Sequence, residues 1–114
     1  MREKIRDKGR LKHILEAIEK AFEFTENVSF EEYKSNALLR FAVVKSVEIV
    51  GEASYNLTKE FREQHSEIEW NKIIAMRHIL VHGYYQIEDI FVWDTVKNYF
   101  PPLKEKVQIL FDNS

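Results

Sequence analysis

The sequence predicts an all-α protein, folded as an antiparallel bundle of four to five main helices. Three glycines and two prolines in 114 residues leave little material for the turns of a many-stranded β protein. Apolar residues recur at spacings of three and four over long stretches, which is the period of a helix. Hydrophobic residues make up 45% of the chain, an ordinary value for a globular protein. The length is that of one domain, so we expect residues 1–114 to fold together.

Composition and charge exclude several classes of protein. The chain has no cysteine, which removes disulfides and thiolate metal sites and fits a reducing cytoplasm, where we expect the protein to act. No window approaches the ~18 apolar residues of a membrane span. The charged start, MREKIRDKGR, is not a secretory signal. The net charge of −2 creates no bulk field that would attract nucleic acid, so a polyanion must be bound locally.

The first two helices are predicted from apolar spacing and capping residues. One runs from about Asp7 to Asn27, and Asp7 is a candidate N-cap. Its apolar stripe consists of Leu11, Ile14, Leu15, Ile18, Ala21 and Phe22. Ser29 and Glu32 have the spacing of a capping box, which predicts a short helix after them.

A long helix over about residues 36–57 is apolar almost all round, which predicts a central position with neighbours on several sides. Gly51 within it indicates either the close approach of another helix or a modest kink. Glu48 and Glu52 lie one turn apart and could place two carboxylates near a site. Exposure, or pairing with a lysine or arginine, is the favoured explanation, and a carboxylate facing Arg77 is a further alternative.

Two more helical regions complete the predicted bundle. Thr58 caps a short helix that ends near His65. Asp89 can cap a later helix, which Pro101-Pro102 should interrupt because prolines lack the N–H donor and disfavour α geometry before them. A final helical segment follows the prolines.

The segment WNKIIAMRHILVHGYY carries the candidate site. Its apolar residues predict a buried helix, and Arg77 and His82 interrupt that apolar run, which is costly without compensation. Gly83 can end the helix, so Tyr84 and Tyr85 should lie just beyond it at the surface.

Arginine offers a planar fork for phosphate oxygens, and histidine exchanges protons near neutral pH. A separation of five residues puts Arg77 and His82 about 140° apart around a helix, flanking a groove. Spacing alone favours a structural explanation, with the arginine paired to a carboxylate and the histidine at the negative end of the helix dipole. His78 and His82 have the i,i+4 spacing of a metal pair, but no cysteine exists and no glutamate follows His78, so we predict no metal.

An aromatic set comprises Trp70, Tyr84, Tyr85, Phe91 and Trp93. Aromatic rings can stack on bases. The two tryptophans lie on apolar faces, which favours a place in the core instead.

The pattern Arg77-x4-His82-x-Tyr84 resembles the RX4HXY motif of HEPN-superfamily ribonucleases of the HepT-like toxin type. The resemblance extends over most of the chain: HILEAIEKAFEFTENVSFEEY, AVVKSVEIVGEA, IEWNKIIAMRHILVHGYYQI and VWDTVKNYFPPLKEKV look like that family's helices in the family's order. Glu69 stands where members often have a proline.

The resemblance implies a single HEPN-like helical domain that forms a homodimer with an RNA-cleaving cleft between protomers. It implies the toxin of a type VII-like toxin–antitoxin system, encoded beside a minimal nucleotidyltransferase. Arg77 and His82 would be catalytic, with His78 and Tyr85 as auxiliary residues, and Tyr84 would receive AMP from the partner. No metal or other cofactor is implied.

The expected reaction is metal-independent cleavage of RNA, in which the ribose 2′-OH attacks its own phosphate. The alternative is a non-catalytic module that binds nucleotide or serves as an interaction subunit of a nucleotidyltransferase complex. A purely structural helical dimer is the third class.

Overall fold

The computed structural model describes the backbone of residues 2–83 and 88–114 and the side chains of residues 5–83 and 88–114. This part of the chain is helical and contains no strand. The elements are α1 (Arg2–Thr25), α2 (Phe30–Ser35), α3 (Ala37–Tyr55), α4 (Lys59–Gln64), α5 (Trp70–Gly83), α6 (Asp89–Asp94), a π turn (Thr95–Tyr99) and α7 (Phe100–Asp112). Among the described residues, no helix is long and apolar enough to span a membrane.

The main helices pack as an antiparallel bundle. α3 packs against α1 on one side and α5 on the other, and α7 packs against α1. Asp7 near the start of α1 hydrogen-bonds to Thr58, just after the end of α3, so these two helices run in opposite directions. Arg40 near the start of α3 pairs with Asp89, which follows α5 in the chain, at 3.8 Å. The predicted all-α class and its main helices are confirmed.

The core lies where α1, α3, α5 and α7 meet. Apolar side chains from all four helices are buried there. The largest of these that are fully buried are Phe100, Leu11, Ile14, Ile18, Ile73 and Leu80. The apolar surface of α3 is not covered on every side within one chain, since Leu38 is 82% exposed. The predicted central helix is therefore central along part of its length and open near its start.

The predicted role of Asp7 as the N-cap of the first helix is wrong. α1 begins at Arg2, so Asp7 lies inside the helix, and its side chain is buried. Its carboxylate accepts hydrogen bonds from the backbone N–H and the hydroxyl of Thr58, both at 2.8 Å. Thr58 is itself the N-cap of α4 and accepts from the N–H of Phe61. A buried carboxylate needs such donors, and Asp7 thus joins α1 to the start of α4.

The predicted interruption at Pro101-Pro102 is also wrong. α6, the π turn and α7 follow one another with helical backbone angles, and both prolines lie in the first turn of α7. The N–H of Phe100 donates to the carbonyl of Thr95, five residues back. This wider turn gives the proline rings room against the preceding carbonyl groups, which a regular α-helix would not. One continuous helical rod therefore closes the bundle.

Tyr33 on α2 anchors an aromatic cluster at one end of the bundle. Its ring centroid lies 5.2 Å from that of Trp93, which in turn lies 5.8 Å from Phe30. The Tyr33 hydroxyl is buried without a hydrogen-bond partner among the described residues. The pKa of this phenol is raised from 10.0 to about 12, mainly by burial and also by the Asp89 carboxylate, and Arg40 opposes the shift.

This shift predicts a loss of stability at alkaline pH. Because the folded-state pKa of Tyr33 is raised, its contribution is complete below pH 10.0 and is lost as the pH rises toward about 12. We expect Tyr33→Phe to reduce the alkaline fall in the free energy of unfolding, by on the order of 1–3 kcal/mol. Urea unfolding at neutral pH and near ~pH 11 measures this difference.

Tyr55→Phe is the matched control, since Tyr55 is 60% exposed. An identical alkaline loss in the Tyr33→Phe protein and in the wild type would show that Tyr33 ionisation does not limit stability.

Candidate functional site

The candidate site lies on α5, which has one buried face and one open face. Four residues of α5 are buried: Trp70, Ile73, Met76 and Leu80. The Trp70 indole N–H donates to the carbonyl of His65 at 2.9 Å and fixes the start of the helix. The prediction of a buried helix is therefore right for one face only. The described part of α5 reaches Gly83 and residues 84–87 lie outside the described residues, so the end of the helix at Gly83 stays a prediction.

α5 approaches α3 closely where Arg77 passes Gly51. A Cβ atom built on Gly51 would lie 2.1 Å from the Cβ of Arg77 and 3.2 Å from its Cα. No side chain fits at that distance, so the glycine is what allows the two helix backbones to meet. Of the two alternatives that the sequence left for Gly51, the structure shows close helix approach.

The guanidinium of Arg77 reaches one residue further along α3, to Glu52. Arg77 Nη2 lies 2.8 Å from Glu52 Oε2, and the two side chains are 32% and 54% exposed. A carboxylate thus faces Arg77, one of the alternatives drawn from the sequence. The stem of Arg77 packs against Gly51 and its guanidinium pairs with Glu52, while the side chain remains accessible to solvent.

His82 and His78 lie on the open face of α5. Both are exposed, and their ring centroids are 4.6 Å apart. Among the described residues, no group of three or more His, Cys, Asp or Glu side chains could hold a metal ion. From helix geometry, His82 lies about 7.5 Å along the axis from Arg77 and about 140° around it. A cation and an imidazole are therefore both presented to solvent near the end of one helix.

The other predicted site residues have different positions. Tyr84 and Tyr85 lie outside the described residues. The two tryptophans of the predicted aromatic set lie in different clusters, because Trp70 packs near Phe61 while Trp93 belongs to the cluster around Tyr33. The core interpretation of the two tryptophans is right, and Phe91 is 45% exposed.

The residue that sequence reasoning did not single out is Glu52. Its spacing from Glu48 indicated a shared face, but nothing in that spacing distinguished the two carboxylates. The signal that could have done so is the adjacent Gly51, because a residue beside a close helix crossing must meet the side chains of the opposing helix.

Comparison with known proteins gives a consistent result. A family model described as "Ribonuclease HepT-like" matches residues 14–110. A protein of Thermococcus cleftensis named "Probable ribonuclease HepT" is 40% identical over 103 residues, which cover 90% of this chain and 94% of the relative. A protein of Methanocaldococcus jannaschii named "Putative RNase MJ1380" is 36% identical over 103 residues, with the same coverage of 90% and 94%.

A third relative, from Caldanaerobacter subterraneus subsp. tengcongensis and named "Putative RNase TTE0752", is 40% identical over 98 residues, 86% of this chain and 88% of the relative. No solved structure matches the chain.

An all-α bundle that presents an arginine and a histidine near the end of one helix, together with these matches, defines a protein of the HEPN superfamily. Within it, the chain belongs to the HepT-like ribonuclease family. The family-level activity is that of a ribonuclease, with RNA as the substrate class.

The contact at Gly51 predicts that replacing this glycine with alanine lowers the free energy of unfolding, which is the opposite of the usual effect inside a helix. Gly→Ala inside a helix ordinarily stabilises by about 1 kcal/mol, but Gly51→Ala must force α3 and α5 apart. We expect a net destabilisation of about 1–3 kcal/mol, measured by urea unfolding.

Gly9→Ala is the matched control, because nothing lies within 4 Å of a Cβ built on that α1 glycine. It should be neutral or stabilising. A Gly51→Ala protein as stable as the Gly9→Ala protein would contradict the close packing.

Proposed function

We propose that this chain is a metal-independent endoribonuclease, the toxin of a type VII-like toxin–antitoxin system. The observation that carries the proposal is that an accessible guanidinium, Arg77, and an exposed imidazole, His82, lie on one helix of a HepT-like ribonuclease. A toxin of this kind would act on cellular RNA in the cytoplasm.

The proposed reaction is a transesterification within the RNA. The ribose 2′-oxygen attacks the adjacent phosphorus, the bond to the 5′-oxygen of the next nucleotide breaks, and the products are a 2′,3′-cyclic phosphate and a 5′-hydroxyl. One imidazole accepts the 2′-OH proton and another protonates the leaving oxygen. Arg77 stabilises the negative charge that develops on the phosphorane oxygens. His82 would serve one proton transfer, and His82 of the partner subunit would serve the other.

A homodimer is part of this proposal, because one chain supplies only one His82. Exposed apolar side chains beside the site support an interface there. Ile79 and Val81, on the same helix as Arg77 and His82, are 48% and 40% exposed. Apolar surface of this kind commonly marks a contact with another protein chain.

Arg77→Ala and His82→Ala should each lower the rate of RNA cleavage by about 10²–10³-fold or more, the usual effect of removing one stabilising group. Arg77→Lys should recover little, because an ammonium cannot reproduce the bidentate fork. Cleavage of a labelled RNA in EDTA, with detection of the 2′,3′-cyclic phosphate, measures these rates.

Lys20→Ala is a suitable control, since Lys20 lies on α1 in an exposed ion pair with Glu23. It should cleave as the wild type does. Undiminished cleavage by the His82→Ala protein would overturn the catalytic assignment.

We further propose that a cognate minimal nucleotidyltransferase silences the toxin by transferring AMP to Tyr84. The phenol oxygen would attack the α-phosphorus of ATP and release pyrophosphate. Tyr84 lies two residues after His82, so the added phosphodiester and base would compete with RNA for Arg77. Tyr85 and His78 would be auxiliary residues around the same cleft.

Mass spectrometry after incubation with the partner enzyme and ATP tests this assignment. AMP should be found on Tyr84, cleavage should fall with the modified fraction, and the Tyr84→Phe protein should remain active. Modification of Tyr85 alone, or of a residue outside this segment, would refute the choice of Tyr84.

The second candidate function is a non-catalytic nucleotide-binding or interaction subunit of a nucleotidyltransferase complex. The net charge of −2 favours it, because avid RNA binding usually needs a basic surface. In this case Arg77 and His82 would bind phosphate without catalysing cleavage. Incubation with RNA in EDTA separates the two functions, because the binding subunit produces no new fragments.

A further inference from the structure

We propose that Glu52 is a positioning residue of the ribonuclease site, which orients the guanidinium of Arg77 for the developing phosphorane. The inference rests on the proposed function, and it adds a residue from a different helix to the Arg–His pair. Glu52 would not touch the RNA, and its effect would pass through Arg77.

The geometry indicates that the Glu52–Arg77 ion pair orients Arg77 and does little to stabilise the fold. The Glu52 carboxylate lies 2.8 Å from Arg77 Nη2, while the two side chains are 54% and 32% exposed. An ion pair this open to water is screened and contributes little to folding. Its effect is instead to restrict a long side chain that would otherwise sample many rotamers.

Arg77 is restricted at two points along its length. Its Cα and Cβ pack against the backbone of Gly51, which leaves no room for the stem to move toward α3. Its tip is held by the next residue of the same helix, Glu52. A side chain fixed at its base and tip presents its remaining N–H donors in one orientation, which is what stabilisation of a transition state requires.

The Glu52–Arg77 ion pair should weaken RNA binding and speed RNA cleavage. The Glu52 carboxylate offsets the positive charge of Arg77 and therefore weakens its attraction for an RNA phosphate in the ground state. The guanidinium has five N–H donors, so contact with one carboxylate oxygen leaves others for phosphate. Removal of Glu52 should thus leave RNA binding unchanged or tighter and make cleavage slower.

Four variants test the inference: Glu52→Ala, Glu52→Gln, Arg77→Ala and the double variant Arg77→Ala/Glu52→Ala. Each is assayed for its single-turnover cleavage constant, its Kd for an RNA with a 2′-deoxy ribose at the cleavage site, and its Tm. We expect Glu52→Ala to cleave ~10–100-fold more slowly, the scale of a small misplacement, with an equal or lower Kd. Glu52→Gln should lie between Glu52→Ala and the wild type, because its amide oxygen still accepts a hydrogen bond.

Two comparisons show that the effect passes through Arg77. In the Arg77→Ala background, Glu52→Ala should cause no further loss, because coupled residues are not additive. Glu23→Ala is the matched control, since it removes a carboxylate from the exposed Lys20–Glu23 pair on α1. Its cleavage constant and Kd should equal those of the wild type.

Different experimental results would overturn the positioning role of Glu52 and the proposed ribonuclease function. Cleavage by Glu52→Ala at or above the wild-type rate, with Arg77→Ala inactive, overturns the positioning role and leaves the ribonuclease intact. Slow cleavage explained fully by a lower folded fraction, as read from the Tm of Glu52→Ala and Glu52→Gln, also overturns it. A wild-type protein that does not cleave RNA overturns the function and the inference together.

Discussion

The contact between Gly51 and Arg77 is the constraint on which the site depends. Two helices that meet at a glycine can approach more closely than any pair of side chains allows, and here a Cβ on Gly51 would lie 2.1 Å from the Cβ of Arg77. This approach brings the tip of Arg77 to Glu52 on the same helix as the glycine. A charge that interrupts the apolar run of α5 thus finds its partner without being buried, which removes the desolvation penalty expected for a cation in a core.

The rest of the bundle holds that contact in place. Asp7 fixes α1 to the start of α4 through Thr58, and Trp70 fixes the start of α5 through the carbonyl of His65. The start of α3 is joined to the region after α5 by the Arg40–Asp89 pair, at 3.8 Å. Partly buried hydrogen bonds at the first two points, and packing of α3 against α1 and α5, leave the outward face of α5 as the surface that is open to a ligand. A site built on a packed helix is positioned more rigidly than one built on a loop.

Apolar spacing and capping residues were sufficient to predict the all-α class and the long central helix. They failed in two places. Asp7 has the chemistry of an N-cap, but its acceptors serve Thr58, 51 residues away in the chain. The prolines after the π turn were expected to break a helix, and a local widening of the turn accommodates them instead.

The residue types of the candidate site could be predicted from the sequence, but the contacts between these residues could not. Spacing alone could not decide whether Arg77 pairs with a carboxylate or faces a ligand, and the structure shows that a carboxylate contact and solvent access coexist. The spacing of Glu48 and Glu52 did not distinguish them, because a period of about four residues places both on one face. The opposing helix selects Glu52, which lies beside the close crossing at Gly51.

The central claim is that Arg77 and His82 bind one phosphate together. The most direct measurement is an NMR titration of the wild-type protein with a short RNA carrying a 2′-deoxy ribose at the cleavage site. We predict that the Arg77 Nε–Hε signal and the His82 ring signals shift together and saturate with one Kd. Saturating RNA binding that shifts only one of these side chains, or neither, would contradict the account.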